Sequence, residues 1–139
     1  MSYFTTLPLL GQLDLIEVYE YYDQPVLYSC KNEKGQIFIA VCSDEEEEYE
    51  IWLYAKVSLK RFELIRTGKI SLFETFAKPE SDLLYRVVAP FRGDTSTSVV
   101  RAESISNEQL PRPGEYLNDY AISNSFYEKY IRYTSNDNY

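Results

Sequence analysis

The stretch "QIFIAVCSDEEEEYEIWLYAKV", residues 36–57, decides how this chain folds. Two runs rich in β-branched and aromatic residues, 36–43 and 49–57, flank five consecutive acids. Such runs are typical of β-strands. The connection between them is short, and a parallel pair would need a crossover of a dozen or more residues. The stretch therefore predicts an antiparallel hairpin with an acidic turn.

Two more strand-like runs precede this hairpin, at 15–22 and 26–32. An Asp-Gln-Pro turn signal at 23–25 separates them. The four-residue turn at 32–35 ends in a glycine, which suits the left-handed conformation of a bulged hairpin. The sequence thus predicts a meander of at least four antiparallel strands.

The apolar spacing changes from two residues to the helical period after the meander. Residues 58–68 place apolar side chains at helical spacing between a serine N-cap and a terminating glycine, and 71–77 opens with a Ser-x-x-Glu capping box. The runs 83–91 and 96–104 are again strand-like. A helical stripe over 118–133 predicts a C-terminal helix.

Together these elements predict an α+β fold. We expect an antiparallel β-meander sheet of four to six strands, with two short helices packed on one face and a C-terminal helix. The 139 residues suit one globular domain, 1–139, with a frayed tail at 134–139.

The turns also predict which side chains share a face. If Asn32 pairs with Gln36 and Ser43 with Tyr49, one face of the sheet is aliphatic. That face carries Leu27, Ile37, Ile39, Val41, Ile51, Leu53, Ala55 and Val57. We expect it to form the core under the helices.

The opposite face of the meander is rich in aromatic residues: Tyr28, Phe38, Trp52 and Tyr54. One interpretation is that the C-terminal segment, 96–133, covers it. The other is an exposed patch that binds a partner, because Tyr and Trp combine apolar area with a polar tip and are enriched at interfaces. Both interpretations remain open from the sequence.

The chain has two cysteines and no histidine. Cys30 and Cys42 fall four residues out of step in the predicted register, on the order of 13 Å apart, which is too far for a disulfide. Without histidine, Ser-His-Asp, Cys-His and His-containing zinc sites are excluded. No phosphate-binding glycine loop is present either. We therefore expect no enzyme, no metal and no cofactor.

The net charge of −8 comes from 14 basic and 22 acidic residues, and it is largely local. Six acids lie together: Asp44, Glu45, Glu46, Glu47, Glu48 and Glu50. A solvated turn is the simplest interpretation, and a contact for a basic partner is the functional one. A calcium loop is disfavoured, because the run has neither the alternating ligands nor the turn glycine of an EF-hand.

A second candidate surface is basic and consists of Lys56, Arg61, Arg66, Lys69 and Arg86. With the aromatic side chains, these residues could bind a small molecule or a nucleotide by stacking and charge. Direct nucleic-acid binding is not expected, because the sequence pI is about 4.6. A solvated helix face is the simpler interpretation of this basic stretch.

The order of these features resembles an uncharacterised bacterial domain family of unknown function. The resemblance rests on "YYDQPVL", the hairpin, the acidic connection, "WLY" and the R-x-G-K-I-x-L-x-E-x-F element, and it covers roughly residues 14–90. It implies a bacterial or phage origin and an intracellular setting. Small acidic domains of this kind are often antitoxins, accessory subunits or inhibitors.

The functional expectation is a non-enzymatic protein–protein interaction or regulatory module of the antitoxin, defence-accessory or inhibitor type. Its partner would be another protein with a basic surface, bound by the acidic loop and the aromatic face. The alternative is the small-molecule or nucleotide-binding domain. No signal peptide or membrane span is recognisable, so we expect a cytoplasmic protein, and a homo-oligomer stays open.

Overall fold

The fold is a meander of seven antiparallel strands in a computed structural model that describes residues 4–21 and 25–123. The strands follow one another in the sheet in chain order. They are β1 (Thr6–Leu7), β2 (Gly11–Tyr21), β3 (Pro25–Asn32), β4 (Ile37–Glu45), β5 (Tyr49–Val57), β6 (Leu83–Pro90) and β7 (Ser96–Arg101). The chain is mostly β, and the predicted four to six strands fall short because the sequence pattern did not indicate β1.

Two short helices join β5 to β6, as predicted. The first, α1 (Leu59–Arg66), begins after Ser58, whose Oγ accepts a hydrogen bond from the Arg61 N–H at 3.1 Å. The second, α2 (Leu72–Ala77), begins after Ser71, whose Oγ accepts from the Glu74 N–H at 3.1 Å. Each serine satisfies a backbone donor that has no partner inside its helix.

The β3–β4 hairpin has the predicted register. Asn32 donates its backbone N–H to the Gln36 carbonyl at 3.0 Å, and Gly35 takes a positive φ of 80°. The side chain of Asn32 also fixes the turn, since its Oδ1 accepts from the N–H groups of Lys34 and Gln36 at 3.1 and 2.9 Å.

The β4–β5 register differs from the predicted one. Val41 pairs with Leu53, not with Ile51, and a β-bulge between Cys42 and Asp44 changes the pairing near the turn. The predicted pairing of Ser43 with Tyr49 is therefore wrong by two residues in the body of the hairpin. Because the shift is even, every side chain keeps its predicted face.

The aliphatic face forms the first core, under the helices, as expected. Its buried strand residues include Leu27, Ile39, Leu53, Ala55, Val57 and Leu84, and its buried helix residues are Phe62, Ile65, Leu72 and Phe76. Removing this apolar surface from water is the main favourable contribution to packing the helices on the sheet.

The aromatic face forms a second core. Tyr28, Phe38, Trp52 and Tyr54 are at most 1% exposed. The interpretation of an exposed patch is wrong, and the face is covered. Among the described residues the N-terminal segment provides the cover, with Phe4, Leu7, Leu10 and Leu13, and residues 96–123 contribute none of this core, while 124–133 lie outside the described residues.

Specific contacts hold this N-terminal segment in place. The ring of Phe4 meets Trp52 edge-on, with ring centroids 5.5 Å apart. Asn32 donates its side-chain amide to the Leu10 carbonyl at 3.0 Å, and the Leu13 N–H bonds the Thr5 carbonyl at 2.8 Å. The pairing of β1 with β2 involves two residues only, so apolar burial provides most of the attachment.

The structure of residues 102–123, which follow β7, differs from the predicted one. Three 3-10 segments follow β7: Ala102–Ser104, Asn107–Gln109 and Leu117–Ser123. The predicted helix over 118–133 begins as the last of these, and its remainder, like the predicted frayed tail 134–139, lies outside the described residues. Across 4–21 and 25–123, no helix has the length and apolar content required to cross a bilayer.

The N-terminal cover predicts different costs for two leucines. Leu7 is 1% exposed in the second core, whereas Leu9 is 67% exposed. We expect Leu7→Ala to lower the free energy of unfolding by about 2–5 kcal/mol. The matched control Leu9→Ala should change it by less than about 0.5 kcal/mol. Urea unfolding followed by Trp52 fluorescence measures both, and equal small effects would mean that this segment does not seal the aromatic face.

Candidate functional site

The acidic run lies at one end of the sheet, where β4 turns into β5. Asp44 and Glu45 end β4, and Glu46–Glu48 form the turn, which is closed by a 2.8 Å hydrogen bond from the Glu46 N–H to the Tyr49 carbonyl. Asp44 is half-buried and Glu45–Glu48 are exposed. Within the described ranges, none of these five carboxylates forms an ion pair.

Glu50 was predicted to belong to this exposed acidic surface, and the structure places it inside. It is 7% exposed and lies in β5 between Glu45 and Ala89. Its Oε1 accepts a hydrogen bond from the indole N–H of Trp52 at 3.3 Å. Period-two alternation explains this position, because Glu50 shares the face of Trp52. It cannot meet a partner on the surface.

The four aromatic residues that were predicted to bind a partner lie in the second core, where Trp52 contacts the buried Glu50. Tyr28 and Tyr54 hydrogen-bond to each other through their hydroxyls, and the Tyr28 ring packs against Trp52 at 5.6 Å. Phe38 packs edge-on against Tyr85 at 5.9 Å. The structure therefore brings these aromatics together, but as core and not as a free surface beside the acidic loop.

A different pair of aromatic side chains lies beside the acidic turn. Tyr49 is 37% exposed and Phe91 is 63% exposed. The Phe91 N–H donates to the Glu48 carbonyl at 2.9 Å, which holds the end of β6 against the turn. A groove of about 510 Å³ separates them, lined by Glu47, Glu48, Tyr49, Pro90, Phe91 and Arg92. We call Asp44–Glu48 with Tyr49 and Phe91 the acidic end.

Sequence reasoning missed both aromatic residues of the acidic end. Tyr49 was counted only as the start of a strand, and Phe91 as the end of another. A signal was present, since Phe91 follows Pro90 and precedes a glycine-containing turn. An aromatic residue beyond a strand end has no sheet face on which to pack.

A second groove, of about 440 Å³, flanks the acidic turn on its other side. It is lined by Glu20, Val26, Val41, Cys42, Ser43, Asp44 and Glu45. Burial, and then the charge of Glu115, raises the pKa of Glu20. The carboxylates of Glu20 and Glu115, the second of which accepts the Tyr120 hydroxyl at 3.0 Å, add negative charge beyond the turn.

Three side chains that can ligate metals meet behind the turn. One donor atom each from Cys42, Glu45 and Glu50 lies within 4.8 Å of the others. The Cys42 thiol donates to the Asp44 carbonyl at 3.8 Å, and Glu50 accepts from Trp52. Since the thiol and the buried carboxylate already have protein partners, the cluster by itself does not indicate an ion.

The predicted basic set does not converge on one site. Arg66 binds both carboxylate oxygens of Glu17 at 3.0 Å, and Arg61 donates to the Lys78 carbonyl at 2.7 Å. Lys69 is exposed. Lys56 pairs with Phe38 and Arg86 with Leu53, which places them on opposite faces of the sheet.

Lys56 instead belongs to a groove at the other end of the sheet. This groove of about 640 Å³ is lined by Lys31, Gly35, Gln36, Ile37, Lys56, Val57, Ser58, Leu59, Glu80 and Ser81. We call Lys31, Lys34, Lys56 and Lys60 the basic end. Glu80 lies there too, and its carboxylate accepts the Ser58 N–H at 2.7 Å. The acidic run and these four lysines thus lie at opposite ends of the strands, and the lysines share their end with Glu33, Glu80 and Asp82.

Both cysteines are free, as predicted, and their surroundings give a pH-dependent stability. Burial, followed by the charges of Glu50 and Glu45, raises the pKa of the Cys42 thiol to about 12. In the unfolded chain a thiol titrates near about 8.5. The folded state therefore keeps a proton that the unfolded state loses. This contribution to stability is complete below about pH 8.5 and is lost as the pH rises towards 12.

We expect the free energy of unfolding to fall above about pH 8.5, with a contribution from Cys42 of at most about 1.4 kcal/mol per pH unit. In Cys42→Ala the slope should be shallower. Burial also raises the pKa of Cys30, which remains in both proteins and serves as the internal reference. Urea unfolding at a series of pH values measures the slopes, and identical slopes would contradict the raised pKa of Cys42.

Comparison with known proteins places the chain in a family. A family model described as "Family of unknown function (DUF6575)" matches residues 1–136. No curated protein and no solved structure matches the chain. The match confirms the resemblance found over residues 14–90 and extends it in both directions. The chain belongs to the DUF6575 family, a family of unknown function.

Proposed function

We propose that the chain is a non-enzymatic protein–protein interaction module that binds a basic surface of another protein through its acidic end. The observation that supports this function is a groove in which Glu47 and Glu48, the last two acids of the turn, lie beside two exposed aromatic rings, Tyr49 and Phe91, and one cation, Arg92. The buried aromatic face and Glu50, which the sequence had also suggested, have no part in this proposal.

The two kinds of side chain contribute differently to binding. The carboxylates attract a basic partner over several ångströms and raise the association rate, an effect that salt screens. Tyr49 and Phe91 offer apolar area and ring faces, over which an arginine or lysine side chain binds favourably. Aromatic anchors of this kind commonly carry much of the binding energy of an interface. A regulatory role, as in antitoxins, defence-accessory proteins or inhibitors, fits such a surface.

A charge-reversal experiment tests the acidic end. The variant Glu46→Lys/Glu47→Lys/Glu48→Lys changes the charge of the turn, and the control Asp14→Lys/Glu33→Lys/Glu108→Lys makes the same change at exposed acids elsewhere. We expect the wild type to capture a partner protein from a lysate of the source cells, and we expect the control variant to capture it too. It should be lost with the turn variant.

The aromatic pair needs a separate variant. Phe91→Ala keeps every charge, and we expect it to weaken the captured complex by about fivefold or more, because truncating an anchor costs more than about 1 kcal/mol. Calorimetric titration with the purified partner measures the loss. Equal retention by the two charge variants, or no effect of Phe91→Ala, would show that the acidic end is not the binding surface.

The alternative function, a small-molecule or nucleotide-binding domain, is supported by the groove that contains Lys31 and Lys56. It ranks second because the carboxylate of Glu80 already accepts the backbone N–H of Ser58 in that groove, so this donor is not available to a ligand. A ligand present at 100 times its dissociation constant should raise the free energy of unfolding by about 2.7 kcal/mol. Thermal-shift measurements with common nucleotides test this function, with Lys56→Ala as the control. The absence of any shift would exclude it.

A further inference from the structure

The two edges of the sheet are protected to different degrees. On one side, β1 pairs only with Gly11 and Gln12, so most of β2 has no strand beyond it among the described residues. That part of β2 has three register shifts against β3, exposes Asp14 and Glu20, and lies against the 3-10 segment Leu117–Ser123. Bulges, charges and a covering segment are the devices that prevent a sheet edge from pairing with another chain.

Within the part of the chain that the structure describes, the other edge, β7, is less protected. Its six residues, Ser96–Arg101, pair with β6 without a register shift. They include no proline and no lysine, and the charged residue is the last one. Within 4–21 and 25–123, no strand pairs with the outer side of β7. An edge with a regular register and a single charge at its last residue is a template for strand addition.

The hydrogen-bond pattern shows which groups the edge offers. The Ala102 N–H bonds the Asp82 carbonyl at 3.0 Å, so the even-numbered residues of β7 direct their backbone groups towards β6. By the alternation of a β-strand, Thr97, Val99 and Arg101 direct theirs outward. Val99 is 50% exposed, which leaves room for a strand beside it.

We propose that a second copy of this chain pairs with β7 in the antiparallel direction and forms a two-fold symmetric dimer. Residues whose backbone groups point away from β6 must pair with each other across the dimer. A two-fold axis at Ser98 meets this condition, because it places Thr97 of each copy opposite Val99 of the other. Cross-strand pairs of β-branched residues such as Thr and Val are stabilising. Ser98 then lies on the two-fold axis, and no like charges face each other across the six paired residues.

The positions of the acidic turn and of Arg101 at opposite ends of the sheet favour the second copy as the occupant. The start of β7 lies at the acidic end, since Ser96 pairs with Val88 and the neighbouring Pro90 pairs with Tyr49. The last residue, Arg101, lies at the opposite end, where β3 and β5 also end. Antiparallel pairing therefore sets the acidic end of each copy on the side of the basic end of the other, and Arg101 opposite Thr95, one residue from Asp94 of the second copy.

Sedimentation velocity over a series of concentrations tests the dimer, which is independent of the proposed function. We expect the wild type to shift from 16.3 kDa to twice that mass as its concentration rises. Val99→Pro removes one outward N–H without touching the bonds to β6, a position where a strand tolerates proline. It should remain monomeric, and its thermal unfolding midpoint should equal that of the wild type at concentrations at which the wild type is also monomeric.

A second variant keeps the backbone intact in case the proline disturbs β7. Val99→Lys places a charge opposite Thr97 and should also give a monomer, because an edge lysine opposes strand pairing. The matched control Leu59→Lys, at an exposed leucine on α1, should dimerise as the wild type does. A wild type that stays at 16.3 kDa at every concentration overturns the proposal. A dimer that persists in both Val99 variants overturns it as well.

Discussion

β5 is buried on both faces, and the rest of the structure is arranged to cover it. Six consecutive residues, Glu50–Ala55, are buried, although most antiparallel sheets leave one face to solvent. The helices α1 and α2 cover the aliphatic face, which contains Leu53. The N-terminal segment from Phe4 to Leu13 covers the face of Trp52 and Tyr54. β5 thus requires a covering layer on each face. One layer is the N-terminal segment, which precedes the β4–β5 hairpin in sequence, and the other is formed by α1 and α2, which follow it.

Much of this architecture could be predicted because it depends on local rules. Period-two alternation, serine caps and the turn at Asn32–Gly35 are properties of short stretches, and they indicated the strands, the helices and the β3–β4 register. The cover of the second face depends on packing between distant residues. Phe4, Leu7 and Leu10 recur every three residues, which is not the strand period, and no local pattern indicates that they cover a face of the sheet.

The candidate site likewise has features that local sequence patterns predict and features that depend on packing between distant residues. The acidic turn was predictable in place, because five acids in sequence between two strands can lie only at a strand end. The burial of Glu50 follows from alternation once Trp52 is known to be covered, which the sequence left open. Phe91 reaches the turn only through the pairing of β6 with β5, where Pro90 lies opposite Tyr49. That proximity depends on a strand pairing across two intervening helices, and a single sequence does not show it.

The two proposals use different parts of the molecule and have consequences for each other. The acidic turn belongs to the β4–β5 hairpin, whereas β7 is separated from β5 by β6, at a strand spacing of about 4.8 Å. Edge pairing would therefore leave Tyr49 and Phe91 accessible at the strand ends. A two-fold axis across β7 would place the two acidic ends at opposite ends of the joined sheet. A dimer could then bind two basic surfaces at once, and against a partner that presents two such surfaces its avidity would exceed the affinity of either end. The separation of the two acidic turns would thus reduce repulsion within the dimer and keep its two binding sites apart.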